Sequence, residues 1–269
     1  MENRKAVIVG ISGASSSGKT TLARLLRDVF PGTFVLHEDD FYRPETELPT
    51  KEGLLDWDCA EAIDIPEMTR ALSHIRTHGT FPPFVDSKED QNSIGACPVP
   101  DSAIALAKSR VAAWQLPGAP GHGILLQQHP SSSPSSGLLR MCVLDGFLLY
   151  SPEMQAGGVP PLLDAKLLLL VSRARATQRR ERRDGYVTLE GFWTDPPGYV
   201  DKIVWPNYAA AHARLFRDGD VEGELDEGVL EEMGIRAQVG KGLDVAMETT
   251  FNWAVDTLME RLEELAGKR

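Results

Sequence analysis

The chain has 269 residues, of which 42% are hydrophobic and 25% are charged. This composition is typical of a globular protein with a large core, and it argues against global disorder. The formal net charge of −11 argues against broad attraction to nucleic acid or to an anionic membrane. We therefore expect neither as a partner, and no obligate protein partner is evident.

Apolar runs of strand length alternate with helical patterns, which predicts an α/β protein with a parallel sheet flanked by helices. Pro206 must kink or divide one of the predicted helices. In chain order, the sequence predicts five strands, at residues 6–11, 34–36, 141–144, 165–171 and 235–239, and helices at residues 20–30, 65–75, 101–114, 172–184, 199–216 and 249–265.

The sequence changes character between residues 79 and 137, where proline, glycine and serine form turn and linker patterns. We interpret 79–137 as a flexible, proline-rich insertion within a single domain that covers residues 1–269. As surface material, its residues 85–135 should be replaceable by a short linker without loss of activity. A second segment, 218–232, is rich in acids and glycines and is interpreted as a solvated loop.

The cysteines and the N-terminus indicate a cellular location. Cys59, Cys97 and Cys142 are widely spaced, without a Cys-x-x-Cys pair, which is typical of a reducing compartment and gives no zinc signature. The apolar run at 6–11 is too short for a signal peptide or a membrane span. The sequence thus predicts a soluble cytoplasmic protein, with the nucleus as the alternative.

One segment matches the phosphate-loop pattern G-x-x-x-x-G-K-[ST] at every fixed position, between a predicted strand and a predicted helix. Its small residues let successive backbone N–H groups turn toward a β-phosphate at a helix N-terminus. Lys19 would reach the β- and γ-phosphate oxygens, and the Thr20 hydroxyl would coordinate Mg²⁺. The predicted nucleotide-binding residues are Gly13, Ala14, Ser15, Ser16, Ser17, Gly18, Lys19, Thr20 and Thr21.

A phosphate loop does not define the fate of the γ-phosphate of the nucleotide. A switch or motor hydrolyses ATP or GTP, whereas a kinase transfers the phosphoryl group to a bound acceptor. The chain has no Asn-Lys-x-Asp run, which a guanine-specific switch should show. A protein that only binds ATP would lack a carboxylate placed to activate an acceptor hydroxyl, and this chain has candidates.

The candidate carboxylates follow predicted strands, where open α/β sheets place their sites. Asp39 and Asp40 follow the second strand, and Asp145 follows the third. A carboxylate there can accept a proton from the acceptor, and the Asp145 position is where phosphate-loop proteins keep an acidic group for Mg²⁺. Each residue alone could be a helix cap or a turn residue. Together, behind an intact phosphate loop, they indicate phosphoryl transfer.

A series of motifs then carries a family resemblance. After the phosphate loop come Glu38-Asp39-Asp40-Phe41-Tyr42-Arg43-Pro44, Leu55-Asp56-Trp57-Asp58, Leu144-Asp145-Gly146-Phe147-Leu148-Leu149 and Asp195-Pro196-Pro197-Gly198-Tyr199. With these motifs in this order, the chain resembles the nicotinamide riboside kinases, relatives of the uridine and pantothenate kinases. The resemblance covers roughly residues 4–75 and 139–217, and residues 186–193 are similar to those of fungal members.

The resemblance implies a phosphate-loop kinase fold and a role for each matching acceptor-side residue. Asp39 would be the general base near the ribose 5′-hydroxyl and would share Mg²⁺ with Thr20 and Asp145. Asp58 would bind the ribose 2′- and 3′-hydroxyls, since vicinal hydroxyls suit one bidentate carboxylate. Asp40, Phe41 and Tyr42 would line the acceptor.

Aromatic and basic residues complete the implied site. The nicotinamide ring would lie between Trp57 and Tyr186, because aromatic faces attract a pyridinium cation. The basic stretch at 173–186 would be a lid that closes over ATP, with Arg180 and Arg183 as candidates to contact phosphate.

These implications predict Mg²⁺-dependent transfer of the γ-phosphoryl group of ATP to nicotinamide riboside, and possible use of nicotinic acid riboside, in NAD biosynthesis and salvage. Two alternatives stay open. One is a uridine/cytidine kinase on the same fold. The other, from a different class, is an ATP-binding regulatory protein without kinase activity.

The phosphate-loop assignment predicts that Lys19→Met keeps the fold but lowers kcat by orders of magnitude, because the lysine charge acts on the transferring phosphoryl group. An ADP-release assay at saturating substrates measures this. Turnover above about a tenth of the wild-type value, a loss under about 1.4 kcal/mol, would contradict the assignment.

Overall fold

The computed structural model describes residues 4–87, 95–125, 138–183, 185–187 and 191–267, with only the backbone of Tyr186. Its strands are β1 (Ala6–Ser12), β2 (Thr33–His37), β3 (Thr50–Lys51), β4 (Leu54–Leu55), β5 (Arg140–Asp145), β6 (Ala165–Leu168), β7 (Tyr186–Val187), β8 (Phe192–Trp193) and β9 (Ile235–Ala237). Its α-helices are α1 (Lys19–Val29), α2 (Ile65–His78), α3 (Asp101–Trp114), α4 (Pro152–Ala156), α5 (Arg173–Glu181), α6 (Trp205–His212), α7 (Glu227–Met233) and α8 (Met247–Gly267).

A five-stranded sheet in the order β2-β5-β1-β6-β9 forms the centre of the protein, and every neighbouring pair of its strands is parallel. The predicted fold class is confirmed. All seven residues of β1 are buried, because helices cover both faces of the sheet. Ile8 packs with Met68 and Leu72 of α2 on one face, whereas Val7 and Val9 pack with α1, α3 and α8 on the other.

The sheet register determines which residues meet at its carboxyl edge. Asp145 at the end of β5 pairs with Ile11 of β1 on one side and with His37 of β2 on the other. The loop at 13–18 follows β1, and a short 3₁₀ turn, Glu38–Phe41, follows β2. The two segments predicted to carry the chemistry therefore emerge on either side of Asp145.

Pro206 divides the predicted helix at 199–216. A π-helical turn, Val200–Val204, leads into α6, where Pro206 lies in the first turn. A missing N–H costs little there, because the first turn has no intrahelical acceptors for its N–H groups. Among the described residues, no helix combines the length and the apolar character needed to cross a membrane.

The prediction of a flexible surface insertion is wrong for residues 99–125. Helix α3 packs against α1 and α8, and Val111 and Trp114 are buried in the core on that face of the sheet. The indole N–H of Trp114 donates a 2.7 Å hydrogen bond to Glu263 of α8. Residues 88–94 and 126–137 of the predicted insertion lie outside the described residues.

The interpretation of 218–232 as a solvated loop is also wrong in part. Helix α7 begins within this segment at Glu227, where the Asp226 side chain caps it by accepting the Val229 N–H at 3.1 Å. Leu230 on this helix is buried in the core. Val221 and Leu225 of the same segment are buried there as well, so three apolar residues among acids and glycines anchor the segment in the core.

Because α3 belongs to the core, truncating its buried tryptophan should destabilise the protein. Trp114→Ala should lower the free energy of unfolding in urea by about 3–5 kcal/mol. The matched control is Leu116→Ala, at a leucine that is 59% exposed two residues further on, which should change it by less than about 0.5 kcal/mol. Equal effects of the two substitutions would show that α3 is a surface appendage after all.

Candidate active site

One cavity opens at the carboxyl ends of β1, β2 and β5. Its walls come from the phosphate loop, the segment after β2, residues 57–58, helix α5 and the β7–β8 pair. The residues that line it are Ser15, Ser16, Gly18, Lys19, Thr20, Thr21, His37, Asp39, Asp40, Tyr42, Trp57, Asp58, Asp86, Asp145, Gly146, Phe147, Arg180, Arg183, Val187 and Trp193. The cavity thus brings together most of the residues that the sequence predicted.

The phosphate loop has the predicted position between β1 and α1. Gly18 adopts the left-handed conformation with φ 104°, which strains any residue with a side chain. Lys19 is buried, and its ammonium group donates to the Ala14 carbonyl across the loop at 3.0 Å. The hydroxyl oxygens of Ser16 and Ser17 are buried without a hydrogen-bond partner among the described residues. Such donors suit phosphate oxygens.

The electrostatics of Lys19 come from its neighbours across the cavity. Burial lowers the pKa of Lys19 below its ordinary value, and the charges of Asp145 and Asp39 oppose that shift. The two carboxylates thus offset part of the cost of burying a positive charge close to where a phosphate would bind.

The metal-binding prediction concerns Thr20, Asp39 and Asp145. Burial alone would raise the pKa of Asp145, but hydrogen bonds from His37 and Thr20 and the charge of Lys19 hold the pKa below its ordinary value. The His37 Nδ1 lies 3.3 Å from the Asp145 carboxylate. Asp145 is therefore ionised beside the Thr20 hydroxyl at neutral pH. This donor set fits Mg²⁺, which proteins hold through one or two carboxylates together with substrate phosphates.

Within the described residues, no group of three or more His, Cys, Asp or Glu side chains is arranged to hold a metal ion without other ligands. Any Mg²⁺ at Thr20 and Asp145 would therefore take further ligands from phosphate or water, as this ion usually does.

The turn after β2 separates its residues into two sets. Glu38 and Phe41, three residues apart in a 3₁₀ turn, share the buried side, whereas Asp39, Asp40 and Tyr42 line the cavity. Phe41 packs in the core, so its placement does not support the contact with the acceptor that the resemblance implied.

Glu38 is a buried carboxyl that sequence reasoning missed. Its Oε2 accepts the Leu148 N–H at 3.1 Å, and burial raises its pKa to about 8. Glu38 is therefore largely neutral at pH 7; the nearby charge of Asp39 favours this neutral form, whereas that of Lys19 opposes it. It ties the turn after β2 to the turn after β5 without adding a full charge to the site.

Arg180 of helix α5 is held between two carboxylates and is only 7% exposed. Its Nη1 and Nη2 donate to the two oxygens of Asp58 at 2.7 and 3.1 Å. Its Nε and Nη2 donate to the two oxygens of Asp195 at 2.6 and 3.1 Å. Burial raises the pKa of Asp58, and the Arg180 guanidinium counteracts part of this rise. The predicted lid helix and the predicted ribose-binding carboxylate are thus joined directly.

Aromatic side chains bound the cavity near Asp58. Trp57 is buried, its ring centroid lies 5.2 Å from that of Tyr42, and its backbone N–H donates to the Tyr199 hydroxyl at 3.0 Å. The side chain of Tyr186, the predicted second aromatic, lies outside the described residues. Trp193, which was not predicted, lines the cavity instead, with its ring centroid 5.7 Å from that of Trp57.

Helix α5 also reaches the phosphate loop. Arg179 donates to the Ser16 carbonyl at 3.0 Å, and Arg183 lines the cavity just beyond the helix. A second, smaller cavity adjoins the loop at Ser17 and is bordered by Arg175, Arg179 and Met247. No sequence motif marks this cavity, because its walls come from β6, α5 and the residues around the start of α8.

Several cavity residues were not among the predicted site residues. His37 directly precedes a recognised motif, and Phe147 and Trp193 lie within recognised segments, so these segments were the available signal. Asp86 comes from the segment interpreted as an insertion, and nothing local marks it as part of a site.

The phosphate loop, the carboxylates at the neighbouring strand ends and the adjoining acceptor cavity define a phosphate-loop kinase. No protein-family model matches the chain. The nicotinamide riboside kinase of Schizosaccharomyces pombe is 35% identical over 260 residues, which cover 97% of this chain and 99% of that protein. The Saccharomyces cerevisiae enzyme of the same name is 33% identical over 228 residues, covering 84% of this chain and 85% of that protein. The chain therefore belongs to the nicotinamide riboside kinase family, as the resemblance predicted.

Among solved structures, a putative fructose transport system kinase from Silicibacter sp. TM1040 aligns with a TM-score of 0.41 and 18% identity, covering 66% of this chain and 71% of that one. The family assignment does not depend on this distant likeness.

Proposed function

We propose that this protein transfers the γ-phosphoryl group of ATP to the ribose 5′-hydroxyl of nicotinamide riboside, giving nicotinamide mononucleotide in NAD salvage. The observation that carries the proposal is a single cavity that joins Lys19 and Thr20 of the phosphate loop to Trp57 and Asp58. Phosphate-binding groups and groups suited to an aromatic riboside face the same space. Membership of the family supports the same reaction.

The nucleotide side of the reaction belongs to the phosphate loop and helix α5. Lys19 and the loop N–H groups hold the β- and γ-phosphates. The second cavity, between Met247 and the guanidinium groups of Arg175 and Arg179, takes the base of ATP, since guanidinium planes stack on aromatic rings. Thr20 and Asp145, with Asp39 nearby, would hold Mg²⁺, which when bound neutralises charge on the phosphate oxygens.

Among the three aspartates at the strand ends, Asp39 is the proposed general base. Asp40 caps the turn by accepting the His37 backbone N–H at 3.2 Å, and Asp145 is bonded to His37 and Thr20. These contacts support a turn-capping role for Asp40 and a metal-binding role for Asp145. Asp39 lines the cavity beside Lys19, where it would take the proton of the 5′-hydroxyl as the phosphorus–oxygen bond forms.

The riboside side depends on Asp58. Arg180 occupies one acceptor position on each oxygen of this carboxylate, and an ionised carboxylate has about four such positions. The remaining positions can accept the 2′- and 3′-hydroxyls of a ribose. Of the two arginines predicted to contact phosphate, Arg183 therefore suits that role better, while Arg180 serves the acceptor side.

The charge of the cavity favours a cationic acceptor. Among the described residues that line it are five aspartates but only three lysine or arginine side chains. Nicotinamide riboside carries a positively charged pyridinium ring, whereas uridine is neutral. Aromatic walls next to an excess of carboxylates attract a planar cation.

The cellular location is also part of the proposal. Cys59, Cys97 and Cys142 are unpaired thiols, and unpaired thiols persist in a reducing compartment. This supports the cytoplasm as the place where the enzyme works.

The proposal predicts that kcat/KM is higher for nicotinamide riboside than for uridine, with about 2- to 30-fold preference per well-placed aromatic side chain. Product formation measured with Mg²⁺ and ATP tests this. Asp58→Asn should lower kcat/KM for both substrates, because the carboxylate binds only the ribose. Asp39→Asn, which lacks the proposed general base, is the control: product formed by this variant measures contaminating kinases.

A wild-type kcat/KM for uridine equal to or above that for nicotinamide riboside would favour a pyrimidine nucleoside kinase. ATP binding without turnover of any riboside would instead favour a regulatory protein.

A further inference from the structure

Strand β8 presents two aromatic residues to different surroundings. Phe192 is 63% exposed, whereas Trp193 is partly buried and lines the active-site cavity. Neighbouring residues of a strand point to opposite sides. The β7–β8 pair therefore contributes one indole ring to the site and leaves one phenyl ring in solvent.

The Trp193 ring stands at an angle to its aromatic neighbours. Its centroid lies 5.7 Å from that of Trp57, with 54° between the ring planes, and 5.8 Å from that of Tyr199. Two indole rings tilted in this way do not stack on each other. They form a corner, and both residues line the cavity that contains Asp58.

A chain of hydrogen bonds fixes the Trp193 ring relative to Asp58. The indole N–H donates to Asp195 Oδ1 at 3.0 Å. The same carboxylate accepts from Arg180 at 2.6 and 3.1 Å, and Arg180 donates to Asp58 at 2.7 Å. The aromatic surface near the base and the carboxylate that suits the ribose are therefore held in one geometry before substrate arrives. Such preorganisation lowers the entropic cost of binding.

We propose that Trp193 determines specificity for the base: with Trp57, it contacts the pyridinium ring and selects a cationic ring over a neutral one. The inference rests on the proposed function and adds to it a residue outside the Trp57 and Tyr186 pair that the sequence predicted. The electron-rich face of an indole attracts a cation, most strongly where water is excluded. Five aspartates among the described lining residues strengthen the preference for positive charge.

The test compares two ribosides that differ in ring charge. Nicotinamide riboside is cationic, while its 1,4-dihydro form keeps the ribose and the carboxamide but is neutral. Trp193→Leu keeps apolar bulk and removes the aromatic face. It should lower kcat/KM for nicotinamide riboside by about 2- to 30-fold, mainly through KM, and change the value for the dihydro form less than 2-fold. Trp193→Phe should restore most of the loss.

The matched control is Phe192→Ala, which removes an aromatic ring from the same strand on the solvent side and should leave both values unchanged. An equal loss for both ribosides in Trp193→Leu, or no loss, would overturn the inference while leaving the proposed function intact. If Trp193→Leu does not fold, the test uses the more conservative variant Trp193→Phe, which must keep the wild-type preference for the cationic riboside. Loss of that preference in Trp193→Phe would overturn the inference. A wild-type enzyme inactive on nicotinamide riboside would instead overturn the proposed function.

Discussion

A buried arginine between two carboxylates is the constraint on which the site depends. Arg180 brings a guanidinium group into a place that is only 7% exposed, and a buried charge is tolerated only when it is paired and hydrogen-bonded. Asp58 and Asp195 supply both the charge and the hydrogen bonds; Asp195 lies 15 residues after Arg180 in the chain, whereas Asp58 lies 122 residues before it. Because removing any partner leaves a buried charge without its counterpart, three separate segments must keep one arrangement. Helix α5 consequently stays over the cavity, with Arg179 at the phosphate loop.

The carboxyl edge of the sheet provides the second constraint. The register of β1, β2 and β5 places Asp145 between the phosphate loop and the turn that carries Asp39. Glu38 links the turns after β2 and β5 and, with a pKa of about 8, is largely neutral at pH 7. The site therefore gathers aspartates around Lys19 while its supporting carboxyl group adds little further charge.

Features encoded in local sequence were predictable, and those that depend on distant contacts were not. The phosphate loop and the five strands follow from spacing and apolar runs, and the meeting of Asp39 with Asp145 follows from the rule for parallel sheets. The burial of Trp114 was missed because prolines and glycines on both sides of α3 resemble linker chemistry. The side of the turn that Phe41 occupies depends on its 3₁₀ geometry. Neither the Arg180–Asp195 ion pair nor the place of Trp193 can be derived from spacing, because each needs the folded chain.

A double-mutant cycle tests whether Arg180 couples helix α5 to the acceptor cavity through Asp58. Unfolding free energies in urea would be measured for the wild type, Asp58→Asn, Arg180→Met and the double variant. We expect a coupling energy of about 1–3 kcal/mol, because each single change leaves a buried partner unpaired. In a control cycle, Arg182→Met takes the place of Arg180→Met; Arg182 is an exposed arginine on the same segment. The effects of Arg182→Met and Asp58→Asn on the free energy of unfolding should be additive. Additivity within about 0.5 kcal/mol in the Arg180 cycle would contradict this coupling.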